Sequence, residues 1–206
     1  MSSAVEKHII SQETRNTVSM RYKRITRAIN NSFWNSDSEI ANSFYVGSFG
    51  RGTAIKTSDL DVLMLLPSEE FGHFTSQTGN GQSRLLQSVK NAILATYPNS
   101  SVKGDGQVVV VSFSDGMKFE ILPAFKNEFF GRWDGTYKYP DTHMGGNWLS
   151  TNPKSEIDAM RVKDDVSNHL LTATCQHIRY VRDQNYSSYN VSGILIDAFV
   201  YQAINT

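Results

Sequence analysis

Two carboxylates stand at the head of the most apolar strand-like run in this chain: Asp59-Leu60-Asp61, followed by Val62 to Leu66 and closed by Pro67. In a strand, residues i and i+2 project from one face. Asp59 and Asp61 therefore point the same way from the start of a buried strand, read here as residues 59–66. Paired carboxylates repel each other and lose hydration unless a cation neutralises them. Oxygen donors at this density suit Mg²⁺ or Mn²⁺. A third acid, Glu120, lies in Lys118-Phe-Glu-Ile-Leu-Pro123, on the second arm of a hairpin read as 108–113 and 117–122. If that arm pairs beside the Asp59 strand, three carboxylates converge. Such a set can hold two divalent ions about 3.5–4 Å apart.

The segment before the acids supplies an anion site. Gly47-Ser48 precedes Asp59 by a turn rich in glycine, Gly47-Ser-Phe-Gly-Arg-Gly52. Gly47 has no side chain, so backbone can approach a phosphate closely. Ser48 offers a hydroxyl and an N–H, and a helix starting at Phe49 would favour phosphate at its first turn. The Gly-Lys-Ser/Thr of a Walker motif is absent. Singly, each feature is ordinary: an Asp-x-Asp is usually a solvated strand end, a Gly-Ser a turn, a Glu an ion-pair partner. Their combination at this offset is rare, and it reads as a catalytic site.

Along the chain, residues 3–34 have helical spacing of Val5, Ile9, Val18, Ile25, Ile29 and Phe33. A short strand is expected at 43–46. Residues 68–82, polar and with Gly72, Gly79 and Gly81, read as a mobile loop. Ser83 is a candidate cap for a helix to Tyr97. Residues 126–150 read as irregular. Asn152-Pro153 opens one long helix to about Gln184, and another begins at Ser192. The expected domains are thus a core over 1–150 and the start of a helical lobe over 151–206. The apolar helical pattern continues to the last residues without a stop signal, as expected of an incomplete lobe.

Lys+Arg and Asp+Glu both number 20, so zero net charge demands no polyanionic or membrane partner. One cysteine, Cys175, excludes an intrachain disulfide and a cysteine-rich zinc site. The first residues lack the apolar core of a signal peptide, and a cytoplasmic location is expected. Cys175 is expected to be a small core residue, and His169 and His177 to pack or face solvent. Trp133, Tyr137, Tyr139 and Trp148 are read as base-stacking or loop-packing residues, and Arg51 as a nucleotide contact or a solvated turn residue.

At the Gly-Ser and acid motifs the sequence resembles the DNA polymerase β-like nucleotidyltransferase superfamily. Gly47–Ile55, Ser58–Val62, Glu120–Phe125 and Gly146–Pro153 further resemble the bacterial cGAS/DncV-like enzymes, the CD-NTases. The resemblance implies a mixed α/β (α+β) core with a mixed sheet, plus a helical lobe. It implies a cyclic di- or trinucleotide, or related oligonucleotide, made from nucleoside triphosphates with two Mg²⁺ or Mn²⁺ ions. The implied setting is anti-phage signalling, with a separate effector protein that senses the product. Asp59, Asp61 and Glu120 match the metal ligands, and Gly47 and Ser48 the phosphate turn. Arg179 or Arg182, and Ser192, stand where the family holds the donor triphosphate, although its common lysine is absent. A single cysteine cannot build the zinc insertion of the animal DNA sensor, so no DNA activator is implied. Two alternatives stay open: the same chemistry on another acceptor (an antibiotic, a protein or an RNA end), or a silent nucleotide-binding module.

Overall fold

In the computed structural model, residues 10–76 and 78–204 are described. They form α1 (Gln12–Phe33), β1 (Ser43–Tyr45), α2 (Gly47–Gly50), β2 (Leu60–Leu65), α3 (Ser68–Ser76), α4 (Gly81–Thr96) and β3 (Ser101–Asp105). There follow β4 (Val108–Ser112), β5 (Lys118–Phe129), β6 (Arg132–Asp141), β7 (Asn147–Thr151), α5 (Pro153–Val166), α6 (Leu170–Asn185) and α7 (Gly193–Ala203). Two compact units interleave along the chain. One takes Thr17–Tyr45 and Asp61–Asn152; the other takes Val46–Leu60 and Pro153–Thr206 with the described part of Met1–Asn16. The expected division at residue 150 lies near one of these joins only.

The sheet unit is built on β2. Leu60, Val62, Leu63 and Met64 are all buried, so this strand is covered on both faces and its apolar run is continuous rather than alternating. The strand order is β1-β2-β5-β4-β3, with β6 paired to β5 and β7 to β6. In β4 and the first half of β5, by contrast, burial alternates: Val109, Val111, Phe119 and Ile121 are fully enclosed. Helix α4 covers that face with Leu85, Leu86, Val89, Ala92 and Ile93, a spacing that fits 3.6 residues per turn. Helix α1 contributes Ile25 and Ile29 to the core.

Several elements differ from expectation, each for a local reason. The helix expected over 3–34 begins at Gln12, where the Ser11 hydroxyl accepts the Thr14 N–H at 3.1 Å; residues 3–9 lie outside the described residues. The loop expected over 68–82 contains α3. Phe74 is buried, and Phe71 meets the rings of Phe125 and Trp148 at 5.4 and 4.9 Å. Those aromatic anchors outweigh a helical Gly72, which costs about 1 kcal/mol. The cap of α4 is Asn80, whose side chain accepts from the Ser83 N–H, rather than Ser83 itself. Residues 126–150 are not irregular: β5, β6 and β7 form an antiparallel meander, and Tyr137 and Trp148 are packing residues within it. The long helix expected from 153 to 184 is two helices. Asn168 and His169 break it with φ of 52° and 62°, and the Asp164 carboxylate takes up the Thr172 N–H at 2.8 Å.

The helical unit has its own core of Met160, Leu171, Cys175, Ile196 and Val200. Burial, then the charge of Asp197, pushes the Cys175 thiol up to about 12, so it stays protonated and inert, as expected of a core residue. A buried charge cluster lies beside this core. Asp197, 1% exposed, accepts Arg179 Nε on Oδ1 at 2.9 Å and Arg179 Nη2 on Oδ2 at 2.7 Å. Its Oδ2 also accepts Arg51 Nε at 3.0 Å and Thr53 Oγ1 at 2.8 Å. Burial opposes ionisation of Asp197, but these donors more than offset it and hold its pKa below the ordinary value. Gly193 borders the cluster: a Cβ there would collide with the Arg179 guanidinium, which its two bonds to Asp197 hold in place.

Two outcomes follow for stability. Gly193→Ala should destabilise the fold by about 1–3 kcal/mol, the usual cost of overpacking, as a lower denaturation midpoint. Asp197→Asn should cost about 3–5 kcal/mol at neutral pH, because the buried Arg179 guanidinium loses its counter-ion and Arg51 keeps only Glu156. A depressed carboxylate stabilises above its unfolded pKa and loses that contribution as pH falls through its folded pKa. Acid titration of stability should therefore be steeper for the wild type than for Asp197→Asn.

Candidate active site

Each predicted site residue has a definite place. In the sheet unit, β2 and β5 are neighbours. The other paired strands are all antiparallel, and the sheet is mixed, so β2 and β5 run parallel. The Leu66 N–H donates to the Ala124 carbonyl at 2.9 Å. In a parallel ladder that bond sets Leu65 opposite Ala124. Counting back along both strands sets Asp61 opposite Glu120. Both are half-buried, while their strand neighbours Leu60, Val62, Phe119 and Ile121 are buried on the other face. The two carboxylates thus share one face on adjacent strands.

That arrangement is costly without a cation. Lys118, two residues before Glu120 and on the same face, places Nζ 2.7 Å from Glu120 Oε1. Its ammonium balances the Glu120 charge. Among the described residues, no group of three or more His, Cys, Asp or Glu side chains is gathered closely enough to hold a metal ion. The donor chemistry nevertheless fits a hard divalent ion, since both facing groups are carboxylates.

The other predicted residues belong to the helical unit. Asp59 is exposed and lies one residue before β2, not within it as expected. It leaves a tight turn in which Ser58 Oγ accepts the Ile55 N–H at 3.0 Å. Gly47 has φ +56°, a conformation that side chains resist, so glycine is required there. It opens α2, which begins at Gly47 rather than Phe49. Ser48 is buried, and its carbonyl accepts the Thr53 N–H at 2.9 Å.

The three residues expected to hold the triphosphate lie on α6 and at the start of α7. Arg179 is buried, and its guanidinium is engaged twice by Asp197 as an ion-pair partner beside the core. Arg182 is turned to Asp183 at 2.7 Å and to the Val191 carbonyl at 2.8 Å. Ser192 is the exposed N-cap of α7, with no side-chain capping bond. Arg51 is neither solvated nor facing open space: it joins Asp197 and, at 3.3 Å, Glu156. The residues that sequence reasoning passed over are Lys118, Thr53 and Asp197. Asp197 carried a signal, because a lone acid inside the apolar Gly193–Val200 stretch needs a buried cation.

Comparison with known proteins is consistent with this architecture. Residues 3–164 match the Second Messenger Oligonucleotide or Dinucleotide Synthetase (SMODS) domain. No curated protein sequence matches the chain. Among solved structures, the Bradyrhizobium diazoefficiens CD-NTase CdnG, in complex with GTP, is similar at a TM-score of 0.69 and 14% identity, over 97% of this chain and 67% of that one. The Vibrio cholerae DncV cyclic AMP-GMP synthase gives 0.68 and 12%, over 99% and 71%. Escherichia coli MS115-1 CdnC, in a complex with HORMA-deltaN, gives 0.66 and 17%, over 97% and 61%. The chain therefore spans about two thirds of the length of these structures, and at such identities the likeness is one of fold.

Lys118 yields a direct expectation. An exposed or half-exposed ion pair is worth about 0.2–1 kcal/mol, so Lys118→Met should raise affinity for Mn²⁺ by up to about fivefold in the nucleotide-free protein. A calorimetric Mn²⁺ titration checks this.

Proposed function

The chain belongs to the second messenger oligonucleotide or dinucleotide synthetase family, and from that membership we propose that it joins nucleoside triphosphates into a cyclic di- or trinucleotide, or a related oligonucleotide. The observation that carries this reading is the in-register placement of Asp61 beside Glu120, on the strand that Asp59 introduces.

Asp59, Asp61 and Glu120 would hold two Mg²⁺ or Mn²⁺ ions. Bound there, such ions neutralise triphosphate charge and lower the pKa of an attacking hydroxyl. The chain's own contribution is binding and orientation. Gly47 lets backbone approach the donor phosphates, and the Ser48 hydroxyl donates to one of their oxygens. A ribose hydroxyl of the acceptor forms the new bond to the donor α-phosphorus as the bond to pyrophosphate breaks; its proton passes to solvent. The reaction needs no protein nucleophile, and its rate comes from positioning and charge stabilisation. A second transfer closes the ring. Among the described residues, no helix is long and apolar enough to cross a membrane. The substrates suit a cytoplasmic enzyme, with a product-sensing effector as partner in anti-phage signalling.

The test uses ribonucleoside triphosphates and Mg²⁺ with no added acceptor. Phosphatase-resistant product at the mass of a cyclic di- or trinucleotide is expected. Release of every labelled phosphate would exclude a ring, and product only on adding an antibiotic, protein or RNA would favour another acceptor. Asp59→Asn with Asp61→Asn should lower turnover at least ~100-fold, since the metal contributes several kcal/mol and each ~1.4 kcal/mol is tenfold. Full turnover in excess EDTA, or near-normal turnover of the double variant, would refute the metal site.

A further inference from the structure

The turn carrying Gly47 and Ser48 is held by more than its own backbone. Helix α2 is a single turn of four residues. Helices that short are unstable alone, and Gly47 at positive φ adds conformational freedom in the unfolded chain. Four backbone bonds close the turn, and two of them hold Gly47 and Ser48 themselves: Arg51 N–H to the Gly47 carbonyl at 3.1 Å, and Thr53 N–H to the Ser48 carbonyl at 2.9 Å. The side chains of the same two donors converge on one atom. Arg51 Nε and Thr53 Oγ1 both donate to Asp197 Oδ2, which comes from α7, 144 residues beyond Thr53. Arg179 holds the carboxylate from the other side.

Stability does not by itself call for this cluster. Taking ions out of water costs about as much as their pairing returns, and apolar replacements of similar volume are often neutral or better. What the cluster gives that apolar packing lacks is direction. Hydrogen bonds to a single carboxylate oxygen fix the two residues whose N–H groups hold Gly47 and Ser48.

We propose that Asp197 is a positioning residue for nucleotide binding: through Thr53 and Arg51 it holds the Gly47–Ser48 turn in the shape that receives the donor triphosphate. The inference rests on the role given to that turn above. Asp197 itself touches no substrate.

Thr53→Val tests it with least disturbance. The variant is nearly isosteric and removes one hydroxyl bond, leaving Asp197 paired with both arginines. Calorimetry with magnesium tripolyphosphate, which carries the shared chemistry of every donor, reads the turn directly. A hydrogen bond to a charged group is worth at least about 1.5 kcal/mol, so affinity should fall at least about tenfold and the nucleotide KM should rise in step. The kcat at saturation should stay within about twofold of the wild type, since uniform binding alone is lost. Thr53→Ser, which restores the hydroxyl, should recover affinity. Ser48→Ala reports on the turn independently. If Ser48→Ala weakens binding and Thr53→Val does not, the positioning role is overturned while the site stands. If Ser48→Ala binds as the wild type does, the phosphate turn itself is wrongly assigned, and the role of Asp197 falls with it. Should Thr53→Val lower the melting midpoint markedly, Arg51→Lys carries the same expectation through the other arm. Affinity that merely tracks melting midpoint across Thr53→Val, Thr53→Ser and Arg51→Lys would make the cluster structural and overturn the proposal.

Discussion

The parallel pairing of β2 with β5 is the constraint on which the sheet unit depends. Parallel neighbours cannot be joined by a tight turn; they need a long crossover. Here the crossover consists of α3, α4 and the β3–β4 hairpin, and it explains why β5 reaches the middle of the sheet only after two helices have been laid down. The same pairing sets the register. One hydrogen bond, Leu66 N–H to the Ala124 carbonyl, is enough to bring Asp61 opposite Glu120. A shift of one residue would turn Glu120 to the face where Phe119 and Ile121 are enclosed. The apolar side of β5 therefore enforces the position of its charged side. Packing energy and the site are two faces of one strand.

The helical unit solves a different problem. Its segment from Val46 to Leu60 has one short helix and a succession of turns, and it buries Val46, Ile55 and Leu60. Polar bonds fasten it. Gln176 Nε2 donates to the Gly52 carbonyl at 3.1 Å, Thr57 Oγ1 to Asp183 at 2.6 Å, and Arg51 and Thr53 to Asp197. Helices α6 and α7 thus supply hydrogen-bond partners to this segment. Charge is balanced locally: Asp197 lies between two guanidiniums, and Glu156 meets Arg51 at the rim.

The apolar strand that follows Asp59 and the hairpin carrying Glu120 were legible because burial on both faces of β2 and alternation in β4 leave plain patterns. The α3 helix and the β6–β7 strands were not. Glycines and polar residues obscured segments whose order comes from aromatic contacts made far along the chain, such as Phe71 with Trp148. The break between α5 and α6 was hidden for the opposite reason. Neither Gly nor Pro marks it, and Asn168 and His169 take left-handed conformations because Asp164 caps the next helix.

The sequence by itself determined the chemistry available: which residues are acids, where the glycine must be, and that an apolar strand follows the acids. These are local facts, set by side-chain type and by the two-residue period of a strand. Tertiary structure decided which of those groups meet. It gave Glu120 a lysine neighbour, withdrew Arg179 into a buried ion pair, and tied Thr53 to an aspartate 144 residues away. No local pattern encodes such pairings, because the cost of burying a charge is met only by whichever partner the packed chain brings beside it.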